Sequence, residues 1–193
     1  MVDYAPDLTL RVARQQYFDH AGFDNGGYDD RWVRLKAGPL VFYFPNTAAR
    51  KRAVKLHDLH HVLAEYETTW RGEAEIAAWE IASGCGRHVV AWVLNAGAFA
   101  IGLLIAPRRT YRAFLRGRHS RNLYSGAFTD DLLDGVVGSV RKDLALDIPI
   151  SVTPVDIAAF AMWAVISIVA SLLPWAALIA ALVYLISRVV PSV

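Results

Sequence analysis

Cysteine is almost absent from this chain: Cys85 stands alone among 193 residues. That excludes an intramolecular disulfide framework and a cysteine-rich zinc cluster, and it fits a reducing compartment. A strong excess of one charge is missing too. Twenty Lys and Arg against 18 Asp and Glu leave a formal net charge of +2, too little for a whole-chain case for nucleic acid, and no such partner is expected. The opening MVDYAPDLTL has neither a basic n-region nor an apolar h-region, so neither a secretory signal nor a transit segment is read there. Internal repeats and low-complexity tracts are absent as well.

Apolar residues, by contrast, are in excess. They make up 55% of the chain, and the mean hydropathy of +0.30 is high for a soluble protein of this size. Ile157 to Ser187, IAAFAMWAVISIVASLLPWAALIAALVYLIS, holds no charged residue and is bounded by Asp156 and Arg188. One helix of that length would reach roughly 45 Å, past the ~30 Å hydrocarbon core, whereas a break at Pro174 gives two arms of roughly 24 Å each. The expectation is a membrane helical hairpin over residues 155–190, with the apolar tip LLPW at or within the bilayer. One long, proline-kinked helix is its rival. Ala164, Ser167 and Ser171 on the first arm, with Ala176, Ala177, Ala180 and Ala181 on the second, would permit close approach. Trp163, Trp175 and Tyr184 read as membrane or interface residues.

The remainder divides at residues 47 and 150. Residues 1–47 are aromatic-rich, with a glycine-bearing loop in GFDNGGYDDRW and a short extended run in GPLVFYFPNT. The acidic turn in that loop could hold a cation, though an acidic turn is the simpler reading. Residues 48–150 read helical, opened by Asn46 or Thr47 as N-cap and broken at ETTWRGE, SGCGR and RGRHSRNLYSG. Within them VVAWVLNAGAFAIGLLIAP (89–107) is either a short membrane segment or a buried helix lining an apolar pocket. Six arginines then fall within 108–121. They suit a solvated face, anionic lipid headgroups on the cytoplasmic side, or a bound phosphate or carboxylate. The fold expected is all-α: a helical domain with an apolar groove, plus the C-terminal membrane hairpin.

The chemistry concentrates in KLHDLHHVLAEYETTWRGEAEIAAWE, residues 55–80. On a helix His57 and His61 stand at i and i+4 on one face, and Asp58 lies 100° round from His57. Two imidazoles at that spacing can bind one zinc, as in the His-Glu-x-x-His helix. After the break at 67–72, Glu73 opens a new helix that can fold back opposite them. The plain alternative is an amphipathic helix with a polar side. Glu65 continues the same face as a spare ligand, and His60 falls off it as a supporting or surface residue. Trp70, Trp79 and Trp92 read as core, and Cys85 as a structural thiol in a turn.

The pattern HDLHHVLAEYETTWRGE, His-Asp-x-x-His and then eleven residues to Glu73, resembles the signature of the coenzyme Q biosynthesis protein 4 family of ubiquinone synthesis. The likeness runs over about residues 40–147, through the apolar helix near 89–105 and RGRHSRNLY…DDLLDGVVGSVRKDLALD. The residues after 150 are an addition that typical members lack. The resemblance implies a zinc-type site of His57, Asp58, His61 and Glu73, with Asp58 and Glu73 catalytic, and iron or manganese as alternatives to zinc. It further implies an apolar groove for a polyprenyl tail. Trp92, Asn95, Phe99, Arg108, Arg109 and Arg112 are the candidates for contacting lipid or substrate. The partners implied are membrane lipid, a polyprenyl quinone precursor and other enzymes of the pathway, with homo-oligomers left open. Three functions compete with a metal-dependent enzyme of quinone metabolism. One is a non-catalytic lipid-binding scaffold. Another is a metallohydrolase of a lipid phosphate or ester, with Asp58 or Glu65 as base. The third is a structural membrane protein that binds no metal.

Overall fold

The computed structural model describes residues 3–23, 26–37 and 40–189. It is mostly α-helical, with eight α-helices and one two-stranded sheet among those residues. Helix α1 (Leu10–Ala21) starts at Thr9, whose hydroxyl accepts from the Val12 amide, and stops at Gly22 in the left-handed region. Strands β1 (Trp32–Ala37) and β2 (Leu40–Pro45) pair antiparallel, so the extended run foreseen near residue 40 is half of a hairpin. Its Gly38 and Pro39 lie outside the described residues, as do Asp24 and Asn25 of the glycine-bearing loop. Asn46 ties that loop down, donating to the carbonyls of Gly27 and Asp30, and Thr47 caps α2 (Ala48–Ala64).

Helices α4 (Val89–Ile105) and α5 (Pro107–Arg118) both pack on α3 (Trp70–Ser83), with α2 against α3 and α4, and Pro107 at the first position of α5 makes the α4–α5 break. Two short helices follow, α6 (Asp130–Asp134) and α7 (Val137–Asp143). One hydrophobic core joins Leu10, Tyr17 and Phe18 of α1 to Leu59 and Leu63 of α2, Trp79 of α3, Phe99 of α4, Phe114 of α5 and Val137 of α7. Residues 1–47 and 48–150 therefore share an interior. The Leu10 amide donates to the Gly135 carbonyl and the Val137 amide to that of Leu8, fastening the start of α1 to α7.

The hairpin expected over 155–190 is replaced by one helix, α8 (Pro154–Val189), with Pro174 inside it. A proline removes one backbone donor and bends a helix. Reversing the chain also needs residues that leave the helical region, and Leu172, Leu173, Trp175 and Ala176 are not of that kind. Among the described residues α8 is the one helix long and apolar enough to cross a membrane. Its first third packs on the domain: Phe160 meets Phe99, Tyr111 and Phe114, and Trp163 stacks on Trp92. At its base the Asp156 carboxylate accepts from the Thr153 amide and hydroxyl, from Arg118 and from His119. Those hydrogen bonds, Thr153 first, hold it well below the usual carboxylate range.

Candidate metal centre

Two helices and the loop between them build the site. Helix α2 ends at Glu65, which is in the left-handed region at φ 61° and caps back to the His61 carbonyl. The loop then turns at once into α3, where the Thr69 hydroxyl accepts from the Gly72 amide. Gly72 has to be glycine here, because a Cβ on it would overlap the Glu67 carbonyl. This tight reversal points Glu73, in the first turn of α3, back at the last turns of α2.

The outcome is a triangle of ligand atoms. His57 Nε2 lies 3.2 Å from His61 Nε2 and 3.5 Å from Glu73 Oε2, and His61 Nε2 lies 3.4 Å from Glu73 Oε1. Donors about 2.0–2.1 Å from a tetrahedral ion stand about 3.3 Å from one another, so the spacing suits zinc. The outer nitrogens settle what those inner atoms carry. His61 Nδ1 is 2.8 Å from the Tyr66 carbonyl, which can only accept, and His57 Nδ1 is 2.9 Å from Glu80 Oε1. Both Nδ1 atoms thus donate, which leaves two Nε2 lone pairs and a carboxylate aimed at one point. Only a proton or a cation relieves that crowding. The protonation tendencies agree: burial alone would push His57 down, but Glu80 and Glu73 outweigh it and raise the imidazole well above its ordinary value. Burial likewise opposes ionisation of Glu73, yet the two histidines hold it well below the carboxylate range. Three protein ligands with the fourth position open is the catalytic form of such a site.

Behind the ligands lies a residue that the sequence pattern did not single out. Glu80 is fully buried, and its carboxylate accepts from four donors. His57 and His60 reach Oε1 at 2.9 and 2.6 Å, and Asn95 and Tyr124 reach Oε2 at 2.5 and 2.9 Å. Burial would raise its pKa, but His57 and His60 pull it well below the ordinary range. Seven residues after Glu73, Glu80 sits two turns along the same helix face, and that spacing was the signal available. His60 is no surface residue. It donates from Nδ1 to Glu80, accepts from the Leu123 amide at Nε2, and is lowered by burial.

Asp58 lies beside the triangle and is not among its three residues. Tyr28 donates to it at 2.5 Å, and burial raises its carboxyl above the ordinary value. Glu65, the spare ligand, is paired instead with Arg141. Of the residues expected at lipid or substrate, Asn95 serves Glu80 and Phe99 is in the core. Trp92 donates to the Gly86 carbonyl and stacks on Trp163. Arg108, Arg109 and Arg112 are exposed, with Arg109 paired to Glu75 at 2.6 Å. Trp70 is exposed where core was expected, and Trp79 is fully buried. Cys85 is buried, its thiol pushed up to about 12 by that burial, which makes it a poor nucleophile.

A cavity of about 250 Å³ opens beside His61, lined by Tyr4, Tyr17, Tyr66, Thr68 and Thr69 among others. Tyr17 stacks on the His61 ring at 5.4 Å. The outer side of α4 is an open apolar stripe, with Val89 70%, Val93 67% and Leu104 84% exposed. Comparison of the chain with protein-family models, curated proteins and solved structures returns no match.

Proposed function

We propose that the chain is a membrane-anchored, metal-dependent enzyme acting on a prenylated quinone precursor, with zinc the first choice of ion and iron or manganese the alternatives. The observation that carries this reading is the convergence of His57, His61 and Glu73, with both imidazoles fixed by outer partners so that their free lone pairs face inward. When bound, a divalent ion would hold a ring carboxylate and stabilise the charge that develops as the carboxyl group leaves.

The chain's own groups have separate parts in this scheme. Glu80 and the Tyr66 carbonyl fix the two imidazoles. Glu73, about a third open at 36% side-chain exposure, is the ligand facing an incoming head group. Asp58, kept toward its protonated form by burial, is placed to hand on or receive a proton with Tyr28. The cavity beside His61 is larger than the ~150 Å³ that accommodates benzene, and its tyrosine and threonine lining suits a ring bearing oxygen substituents. The stripe on α4 gives an isoprenoid tail an apolar path. The opposite, buried face of the same helix packs on the first turns of α3, since a Cβ on Gly102 would lie 2.6 Å from that of Ala74, the neighbour of Glu73.

Elemental analysis of the purified chain beside His57→Ala, with lipids extracted from the same samples for mass spectrometry, tests the proposal. One equivalent of metal that is lost in the variant, together with a polyprenylated aromatic lipid, is the expected result. Neither metal nor such a lipid in the native chain would end it. Glu73→Gln separates enzyme from scaffold: turnover is lost, while assembly with partner enzymes would survive in a scaffold.

A further inference from the structure

Helix α8 divides in two. Up to Ser167 one side of it is packed on the domain; from residue 168 to 188 every residue is exposed except the half-buried Ser171. Helix α4 runs back along the packed third, Phe99 meeting Phe160 and Trp92 meeting Trp163. The amino-terminal end of α4 is therefore the end nearer the free part of α8. At that end the Trp92 and Trp163 rings stack at 5.2 Å, with Val89 and Val93 outward beside them and Arg87 exposed just before. A second aromatic-basic group lies farther along, where Arg188 donates to the Tyr184 hydroxyl at 3.0 Å and covers its ring.

Trp163 and Tyr184 are about 21 positions apart, or roughly 32 Å along the helix axis. That matches the ~30 Å hydrocarbon core, and tryptophan, tyrosine and arginine are the residues that collect at its two boundaries. Between them α8 carries no charge. We infer that α8 crosses the bilayer once, and that the first turn of α4, from Val89 to Trp92, is seated in the near leaflet, the Trp92–Trp163 stack marking the boundary and the long Arg87 side chain reaching back along the surface to lipid headgroups. The inference rests on reading α8 as the membrane anchor and adds to it a docking surface on the domain. Val89 is then covered by lipid, the domain is held against the membrane by the start of α4, and the apolar stripe of α4 begins inside the bilayer.

Single cysteines placed in the full chain at Val155, Val89, Leu178 and Ser187 test this, using a membrane-impermeant maleimide. The protein is reconstituted, domain outward, in vesicles of equal parts phosphatidylcholine and phosphatidylglycerol. Cys85 is buried, so the native chain gives the blank. Val155→Cys should label at once. Val89→Cys and Leu178→Cys should label at least ~10-fold more slowly, although the protein itself leaves both positions open. Ser187→Cys should label only once the vesicles are made permeable. Labelling of Val89→Cys at the Val155→Cys rate would overturn the seating of α4 while leaving the anchor standing. Labelling of Ser187→Cys in sealed vesicles would overturn the single crossing. Release of the chain by alkaline carbonate would overturn the anchor and everything built on it.

Discussion

Glu80→Gln is the substitution on which the metal-centre argument turns. The carboxylate takes hydrogen bonds from four groups, with His57 and His60 on one oxygen and Asn95 and Tyr124 on the other. Glutamine preserves the volume but turns one acceptor into a donor pair, so whichever way it is placed two donors face its NH2. A buried group left unsatisfied costs about 1–3 kcal/mol, and loss of the charge opposite His57 falls in the range of a broken buried pair, about 3–5 kcal/mol. The two costs overlap at His57, so the predicted loss of unfolding free energy is about 3–5 kcal/mol, a large part of the ~5–15 kcal/mol of an ordinary domain. His57 would also lose the acceptor that turns its Nε2 inward, for which metal affinity typically falls 10–100-fold. Urea unfolding in micelles reads the first quantity, and zinc titration against a competing chelator the second. Asp130→Asn, an exposed carboxylate paired with Arg11 away from the site, is the control and should leave stability and zinc affinity near those of the native chain. If Glu80→Gln leaves stability and zinc affinity where Asp130→Asn leaves them, Glu80 does not hold the site.

Four more outcomes follow from the geometry of the site and of the base of α8. Glu73→Gln should abolish stoichiometric metal with under about 1 kcal/mol lost from stability, its side chain being partly open. Asp58→Asn should do the reverse, weakening the Tyr28 contact and the fold more than metal content; equal metal loss from both would make Asp58 a ligand. Gly72→Ala should cost about 1–3 kcal/mol and lower metal content as well, because its methyl displaces the Glu67 carbonyl and with it the turn that aims Glu73. Amide exchange at the base of α8, taken relative to the intrinsic rate at each pH, should be unchanged from neutral pH down to about 4 and rise in stronger acid. A carboxylate depressed by folding stabilises above its unfolded pKa and loses that contribution as pH falls through the folded one. Asp156→Asn should show the raised exchange already at neutral pH.

What the sequence made legible was local. The i, i+4 pair His57 and His61, the Asn46 or Thr47 cap, the new helix opened by Glu73 and the charge-free run after Asp156 are each features of one continuous stretch of chain. Glu80 escaped because its role depends on partners 15 to 44 residues away, a separation that only tertiary packing closes. Asn95 misled for the same reason: a polar residue in an apolar helix looks like an opening toward a ligand, but here it satisfies a buried carboxylate. Leu, Phe and Val in 89–105 gave hydrophobicity without direction, so Phe99 entered the core while Val93 and Leu104 faced out. Pro174 was read as a turn because proline stops helices in water. An apolar helix without turn residues around that proline keeps going.

The arginines of α5 connect the two halves of the molecule, and they do so by ordinary internal contacts. Arg116 donates to the Ala64 carbonyl at 2.7 Å and covers the Tyr66 ring. It therefore braces the loop whose Tyr66 carbonyl fixes His61. Two residues on, Arg118 donates to Asp156 at the base of α8. One helix turn thus grips the metal-centre loop on one side and the anchor on the other. Arginine is suited to this because its planar, always-charged fork can satisfy several acceptors at once. Of the six arginines that looked like one lipid-facing patch, these two are spent inside the protein and Arg109 is paired with Glu75. Arg121 donates to the Asp143 carbonyl, leaving Arg108 and Arg112 as the outward pair. Arg118, α5 and Arg116 thus form one continuous run of contacts from the base of α8 to the loop whose Tyr66 carbonyl accepts from His61.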